Sequence, residues 1–207
     1  MICLTWIILL IMRNFVVVAL LPATIALVIC IKKRLNPWAA FSVTYLTAFL
    51  LLVFTQYQSP SFQPVKIITQ RQRDFFELPT ASTQLKTNVL QPSIKSLVKN
   101  APQAINHSLL RPYLWEHPTR FLIPLAIELF LYHLLFAFWL VWHKRNKSGV
   151  NPFVLCCLCF SINLLLFTGY IVPNIGSLVR YRSLYLPFFI IPILSNLNLD
   201  KIRKIIL

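Results

Sequence analysis

Charged side chains in this sequence gather at the ends of long apolar runs, where they could hold an anionic ligand. Arg111, Glu116, His117 and Arg120 form one such group, immediately before the apolar run 121–142. A guanidinium stays charged and can donate two parallel hydrogen bonds to a phosphate. The group therefore predicts a site that contacts an anion at the mouth of a membrane helix.

Arg180 and Arg182 form a second group, in the short polar stretch 174–182. If that backbone is extended, both side chains point the same way, because alternate residues of an extended chain share a face. Together with Arg111 and Arg120 they would then face one cavity and bind a lipid-linked diphosphate. The alternative is that these arginines only reach ordinary phospholipid head groups.

Glu128 is the one acidic residue inside an apolar run, and His133 lies in the same run. A carboxylate at the bilayer centre costs about 2.5–3.5 kcal/mol even on the mildest scale, so Glu128 is expected to have a partner. Tyr132 lies four residues on and shares its helical face. Two interpretations are open: Glu128 contacts an ion or substrate in a cavity, or it forms a polar contact that locks helices together.

No motif for a cofactor, metal or nucleophile accompanies these groups. Asp74 and Glu77, three residues apart in the polar segment, are typical of a solvated helix face. The sequence holds only three glycines, too few for a phosphate-binding loop or a nucleophile elbow. The closely spaced Cys156, Cys157 and Cys159 have no His, Asp or Glu near them and are expected to pack. We therefore expect no metal and no cofactor.

The composition is that of an integral membrane protein. Hydrophobic residues make up 57% of the 207 and charged residues 12%, and the mean hydropathy is +0.70. Soluble domains carry about 25% charged residues. The net charge of +15 is scattered between apolar runs. This pattern favours membrane lipid as a partner and argues against nucleic acid.

Apolar runs long enough to cross a bilayer recur along the chain. We predict an all-α, polytopic membrane protein with four to six transmembrane helices. The expected spans are 15–31, 38–57, 121–142 and 153–172, with a weaker run at 184–197. Residues 1–12 are too short to cross alone.

The polar segment 58–118 divides the chain into two transmembrane regions, 1–57 and 119–207. Proline spacing and apolar periodicity predict three short amphipathic helices in this segment. They are expected at 63–78, 92–98 and 101–110. We expect them to form a cap that lies against the bundle or in the membrane interface.

The distribution of basic residues predicts the orientation of this cap. The short loops 32–37, 143–150 and 199–207 hold three Lys or Arg residues each, whereas the loop 174–183 on the opposite side holds two. Short basic loops face the cytoplasm. The cap is therefore predicted to be extracytoplasmic.

Five short motifs carry a resemblance to a known group of proteins. They are Gln70-Arg71-Gln72-Arg73-Asp74-Phe75, Leu90-Gln91-Pro92-Ser93, Asn100-Ala101-Pro102-Gln103-Ala104, Leu110-Arg111-Pro112-Tyr113-Leu114-Trp115-Glu116 and Asn174-Ile175-Gly176-Ser177-Leu178-Val179-Arg180-Tyr181-Arg182. Across 65–195 the chain resembles the carboxyl half of bacterial inner-membrane proteins from cell-surface polysaccharide gene clusters. This favours the carboxyl portion of a longer membrane protein, or a short relative of one.

The resemblance implies a role in cell-surface glycan assembly. The expected ligand is a polyprenyl-diphosphate-linked saccharide that is exported, polymerised or ligated. The alternative hypothesis is a noncatalytic membrane scaffold or subunit for glycosyltransferases. The resemblance supplies no catalytic residues, so none is assigned.

Overall fold

The computed structural model describes residues 2–58, 63–78, 83–116, 122–142 and 150–197, with side chains described from residue 14 onward. Within these ranges the protein is all-α and contains seven α-helices. They are α1 (Ile2–Lys33), α2 (Pro37–Gln58), α3 (Pro64–Phe76), α4 (Ile94–Ile105), α5 (Leu122–Trp142), α6 (Pro152–Ile171) and α7 (Ile175–Ser195). A π-helical turn, Asn106–Leu110, continues α4. The predicted fold class is confirmed.

Five helices are long and apolar enough to cross a membrane, namely residues 14–33 of α1 together with α2, α5, α6 and α7. The protein is therefore a multi-pass membrane protein. The predicted spans 38–57, 121–142 and 153–172 agree with α2, α5 and α6 to within one residue at each end. Uninterrupted apolar runs of the right length were a sufficient signal for these three helices.

Helix α6 lies at the centre of the bundle. In its most apolar stretch 56% of the residues are buried, against 11% in α2 and in α5. Small residues on α1, including Ala23 and Ala26, allow close packing against α6. The Asn163 side chain of α6 donates to Ala19 O and to the Tyr45 hydroxyl, both at 2.8 Å, and so joins α6 to α1 and α2.

The polar segment forms a cap over one end of the bundle. The cap consists of the described residues 63–78 and 83–116, and it covers the end at which α2 and α6 finish and α5 and α7 begin. We call this the cap end. Its contacts are with α6 above all, and with the last turn of α2.

Residues 92–98 and 101–110 do not form the two separate helices that were predicted. They form one continuous helix, α4, followed by the π-helical turn, with Pro102 in its interior. A proline inside a helix removes one hydrogen bond and usually breaks it. Here the Tyr170 hydroxyl donates to Leu97 O (2.8 Å), and packing onto α6 holds the helix together across Pro102.

The predicted polar turn 174–182 and the short apolar run 184–197 are likewise one helix, α7. Asn174 caps this helix, because its side chain accepts a hydrogen bond from Gly176 N (3.0 Å). Arg180 and Arg182 therefore lie within the helix. Charged residues near its start and prolines at 187 and 192 hid this span from the hydropathy pattern.

The first apolar region also forms a single helix. α1 runs from Ile2 to Lys33 without a break and includes Pro22. Residues 2–12 are thus continuous with the span rather than a separate segment, and the candidate span itself is 14–33 rather than 15–31.

Candidate functional site

Residues 94–110, which we call the inserted segment, pack lengthwise against the cap end of α6. Gly169 of α6 makes this close approach possible: a Cβ atom at that position would lie 2.1 Å from the carbonyl oxygen of Ala104. The backbones of α4 and α6 are therefore in direct contact. Leu109, near the tip of the segment, reaches the main hydrophobic core of the bundle.

The tip of the inserted segment is held by two side chains of α7. Arg182 donates to Ser108 O through Nε (3.3 Å) and Nη2 (3.1 Å), and Nη2 also donates to Arg111 O. The Tyr185 hydroxyl donates to the same Ser108 oxygen (2.9 Å). Arg182 and Tyr185 are buried, so these bonds form away from water.

These contacts explain why a buried arginine is present in α7. The last carbonyls of a helix have no partner within the helix, and that end carries a partial negative charge. Arg182 lies seven residues after Ile175, about 10 Å along α7 at 1.5 Å per residue. Lipid supplies no hydrogen-bond donors at such a position. Arg182 therefore stabilises the end of the inserted segment.

Arg111 and Glu116 form an ion pair beside this tip, with Nη1 and Oε1 3.1 Å apart. It is the one salt bridge found within the described part of the chain. Glu116 also accepts a hydrogen bond from Tyr113 N (3.1 Å), which closes the turn. Glu116 thus has a structural partner in Arg111.

His107 is buried next to this ion pair. Burial lowers the pKa of its imidazole below the ordinary 6.5, and the charge of Arg111 lowers it further, while Glu116 opposes the shift. Its Nδ1 has no hydrogen-bond partner among the described residues. The neutral imidazole is therefore the form that the folded protein favours.

The two predicted arginine groups are thus partly brought together. Arg111 and Arg182 are in contact, but Arg182 serves backbone carbonyls and Arg111 is paired with Glu116. Arg180 is exposed and lies on the opposite side of α7, because residues two apart on a helix are about 200° apart. The prediction that Arg180 and Arg182 point the same way required an extended backbone, but this part of the chain is helical. Arg120 and His117 lie outside the described residues.

Glu128 and His133 lie on different faces of α5. The buried face of α5 contains Leu122, Ala126 and Leu129. His133 shares that face, with its Nδ1 2.7 Å from Leu129 O. Glu128 is exposed on the other side and accepts a hydrogen bond from the Tyr132 hydroxyl (2.9 Å).

Helix α3 is fixed above the cap end by two buried glutamines that sequence reasoning did not single out. Gln56 of α2 accepts a hydrogen bond from Val65 N (3.0 Å). Gln72 donates to Tyr170 O of α6 (2.8 Å) and accepts from Leu90 N (2.8 Å). Because buried amides need partners, these bonds define the position of α3 closely.

A cavity of about 590 Å³ lies between α3 and the cap ends of α1, α2, α6 and α7. One face of α3 lines it, at the helical spacing of residues 64, 67, 68, 71 and 75. The other walls are mainly apolar and include Phe15, Val18 and Phe167. This volume falls within the range of about 300–1,000 Å³ typical of ligand sites.

Arg71 is the charged residue of this cavity. Among the described lining residues it alone carries a charge, and it is exposed, so its guanidinium lies at the opening. Asn14, Thr168 and Tyr181 add polar groups. Sequence analysis placed Arg71 in a motif but assigned it no role. The sequence did contain one signal for this role, because Arg71 lies at helical spacing from the apolar residues of α3 that line the cavity.

Comparison with protein-family models, with curated proteins and with solved structures found no match to this chain. The chemistry of the site must therefore be argued from its own residues. Apolar walls with one guanidinium at the mouth suit an amphiphile that has an anionic head.

Proposed function

We propose that this protein is an integral component of cell-surface glycan assembly in the bacterial inner membrane, and that it binds a polyprenyl-diphosphate-linked saccharide. The observation that carries the proposal is the cavity beneath α3. Its apolar walls lie at the cap ends of the spans, where the chain of a membrane lipid can enter. The five short motifs within residues 70–182, which led to the expectation of a role in glycan assembly, favour the same substrate class.

Arg71 supplies the recognition of the head group in this proposal. The prenyl chain packs against Phe15, Val18 and Phe167, and the diphosphate lies at the opening beside Arg71. A guanidinium binds two phosphate oxygens at once, and such charge-assisted bonds are roughly twice as strong as neutral ones. The saccharide extends outward past the cap, on the extracytoplasmic side, for export, polymerisation or ligation.

The first test measures binding to purified protein in nanodiscs. A labelled polyprenyl diphosphate is competed with phosphatidylglycerol and with inorganic diphosphate. We expect Arg71→Gln to weaken binding at least about tenfold, because the loss of even one of the two charge-assisted hydrogen bonds costs that much. Arg73→Gln is the matched control, because Arg73 is exposed on the same helix but does not line the cavity.

A variant that narrows the cavity tests the contribution of the prenyl chain separately from that of the head group. Ile68→Trp narrows the cavity without altering its charge and should also reduce binding of the polyprenyl diphosphate. If phosphatidylglycerol competes as well as the polyprenyl compound, the cavity holds ordinary lipid and the proposal is wrong. In cells, Arg71→Gln should reduce surface glycan and Arg73→Gln should not.

A further inference from the structure

Two exposed side chains of opposite charge lie at one level of the bundle. Glu128 is six residues from the start of α5 and Arg180 is five residues from the start of α7. At 1.5 Å per residue they lie about 9 Å and 7.5 Å from the cap end. Both are exposed, and within the described part of the chain neither forms an ion pair.

The packing of α5 against α7 fixes this common level. Both helices begin at the cap end and run in the same direction. The rings of Phe136 and Phe189, each fourteen residues from the start of its helix, have centroids 6.2 Å apart. Counting back eight residues from each ring places Glu128 level with Tyr181, the neighbour of Arg180. The two charges therefore lie on adjacent helices at one depth.

A charged side chain that faces hydrocarbon is costly. Polar residues in spans normally pair with one another or face a protein interior. Among the described residues the Tyr132 hydroxyl is the hydrogen-bond partner of Glu128, and Arg180 lies opposite the buried face of α7. The buried contacts of α5 and α7 are already made on their other faces. Within the described part of the chain, neither charge therefore has an oppositely charged partner.

We propose that a second copy of this chain docks against α5 and α7, with Glu128 of each copy paired with Arg180 of the other. Two copies inserted in the same orientation are related by an axis along the membrane normal, which leaves each residue at its depth. A twofold contact is reciprocal, so one acid and one base per chain give two ion pairs. This proposal does not depend on the cavity or its ligand.

The test uses charge reversal in mixed pairs, measured by energy transfer between differently labelled copies in liposomes. Glu128→Arg alone and Arg180→Glu alone each place like charges opposite one another at both contacts. Each should lower the association constant more than about tenfold. When the two single variants are mixed, both contacts again join a cation to an anion, so association between them should return.

The mixture distinguishes contact between copies from contact within one chain. Each single variant has like charges at positions 128 and 180 of its own chain, so a contact within one chain would be restored only by making both substitutions in the same chain. Asp74→Arg and Arg73→Glu, exposed charges on α3, are the matched controls and should leave association unchanged. Thermal unfolding of each variant verifies that it folds. Wild-type protein that stays monomeric at high protein-to-lipid ratio, or a mixture that does not regain association, overturns the proposal.

A cross-link tests the same contact without placing like charges opposite one another. Glu128→Cys protein mixed with Arg180→Cys protein should form a disulfide that joins positions 128 and 180, identified by mass spectrometry. Phe130→Cys, exposed on another side of α5, is the control and should not cross-link to position 180. Equal cross-linking from positions 128 and 130 overturns the proposed geometry.

Discussion

At the scale of single residues, Arg182 shows how a cation can stabilise a chain end inside a bundle. Its guanidinium donates to the carbonyl oxygen of Ser108, in the inserted segment, and to that of Arg111, directly after it. Sequence analysis identified Arg182 as a candidate but assigned it to phosphate. The actual acceptor, Ser108, lies 74 residues away, and no local pattern marks a carbonyl as the partner.

Removal of this guanidinium should destabilise the protein. Arg182→Met fills similar space but leaves Arg111 O without this donor and Ser108 O with Tyr185 alone, which should cost about 1–3 kcal/mol of the free energy of unfolding. Arg182→Lys keeps the positive charge but loses the planar set of guanidinium donors. Its free energy of unfolding should therefore lie between those of the wild type and Arg182→Met. Thermal unfolding in nanodiscs measures both, with Arg73→Met as the exposed control. An unaltered melting temperature for Arg182→Met would contradict the structural role of this residue.

The buried His107 should make stability depend on pH. Its pKa is lowered in the folded protein by burial and by Arg111, whereas in the unfolded chain it has its ordinary value of 6.5. The unfolded state therefore binds more protons just below that value, and stability falls as the pH decreases through 6.5. The loss ends once the lower, folded pKa is passed.

His107→Gln should remove this contribution. Melting temperatures of the wild type and the variant, compared at pH 7.5 and pH 5.5, provide the measurement. The wild type should lose more stability on acidification than the variant does. Equal losses would show that His107 does not titrate as its surroundings imply.

At the scale of helices, the spans were predictable wherever the apolar run was uninterrupted, as in α2, α5 and α6. The continuity of α4 and α7 could not be predicted. Proline and charged residues are local signs of a helix end, and the residues whose packing overrides them lie far away in the sequence. The amphipathic pattern of α3 predicted both ends of this helix to within two residues. Its position over the cavity depends on Gln72 and Tyr170, 98 residues apart.

The contact between α4 and α6 should not tolerate a methyl group. Gly169→Ala places a Cβ atom 2.1 Å from Ala104 O, so the backbones must separate. We expect a loss of about 1–3 kcal/mol in the free energy of unfolding, as for other overpacked sites. Gly176→Ala is the control, because its Cβ would meet Asn174 Oδ1 at an ordinary 3.6 Å. Thermal unfolding that ranks Gly176→Ala below Gly169→Ala would refute this.

At the scale of the whole molecule, the basic residues and the cap imply a definite orientation. The last turn of α1 carries Lys32 and Lys33, the linker to α2 carries Arg34, and both lie at the end opposite the cap. The positive-inside rule predicts that this end of the bundle faces the cytoplasm. Both the proposed extracytoplasmic saccharide and the entry of its lipid from the outer leaflet depend on this orientation.

Labelling of intact cells tests the orientation. Val89→Cys in the cap and Asn36→Cys in the linker both place a thiol at an exposed position. An impermeant thiol reagent should label the first and not the second. The native protein gives the background, since its described cysteines lie in the spans. Labelling at position 36 alone would invert the topology and exclude an extracytoplasmic cap.

The order of synthesis adds a constraint on how the inserted segment reaches its place. Ser108 leaves the ribosome 74 residues ahead of Arg182 and 77 ahead of Tyr185. At about 5–20 residues per second, that separation is roughly 4–15 seconds. During this interval lipid offers the carbonyl of Ser108 no donor, so the segment must wait in an aqueous environment. Docking of residues 94–110 beside α6 is therefore a late folding event, completed only after α7 has entered the membrane.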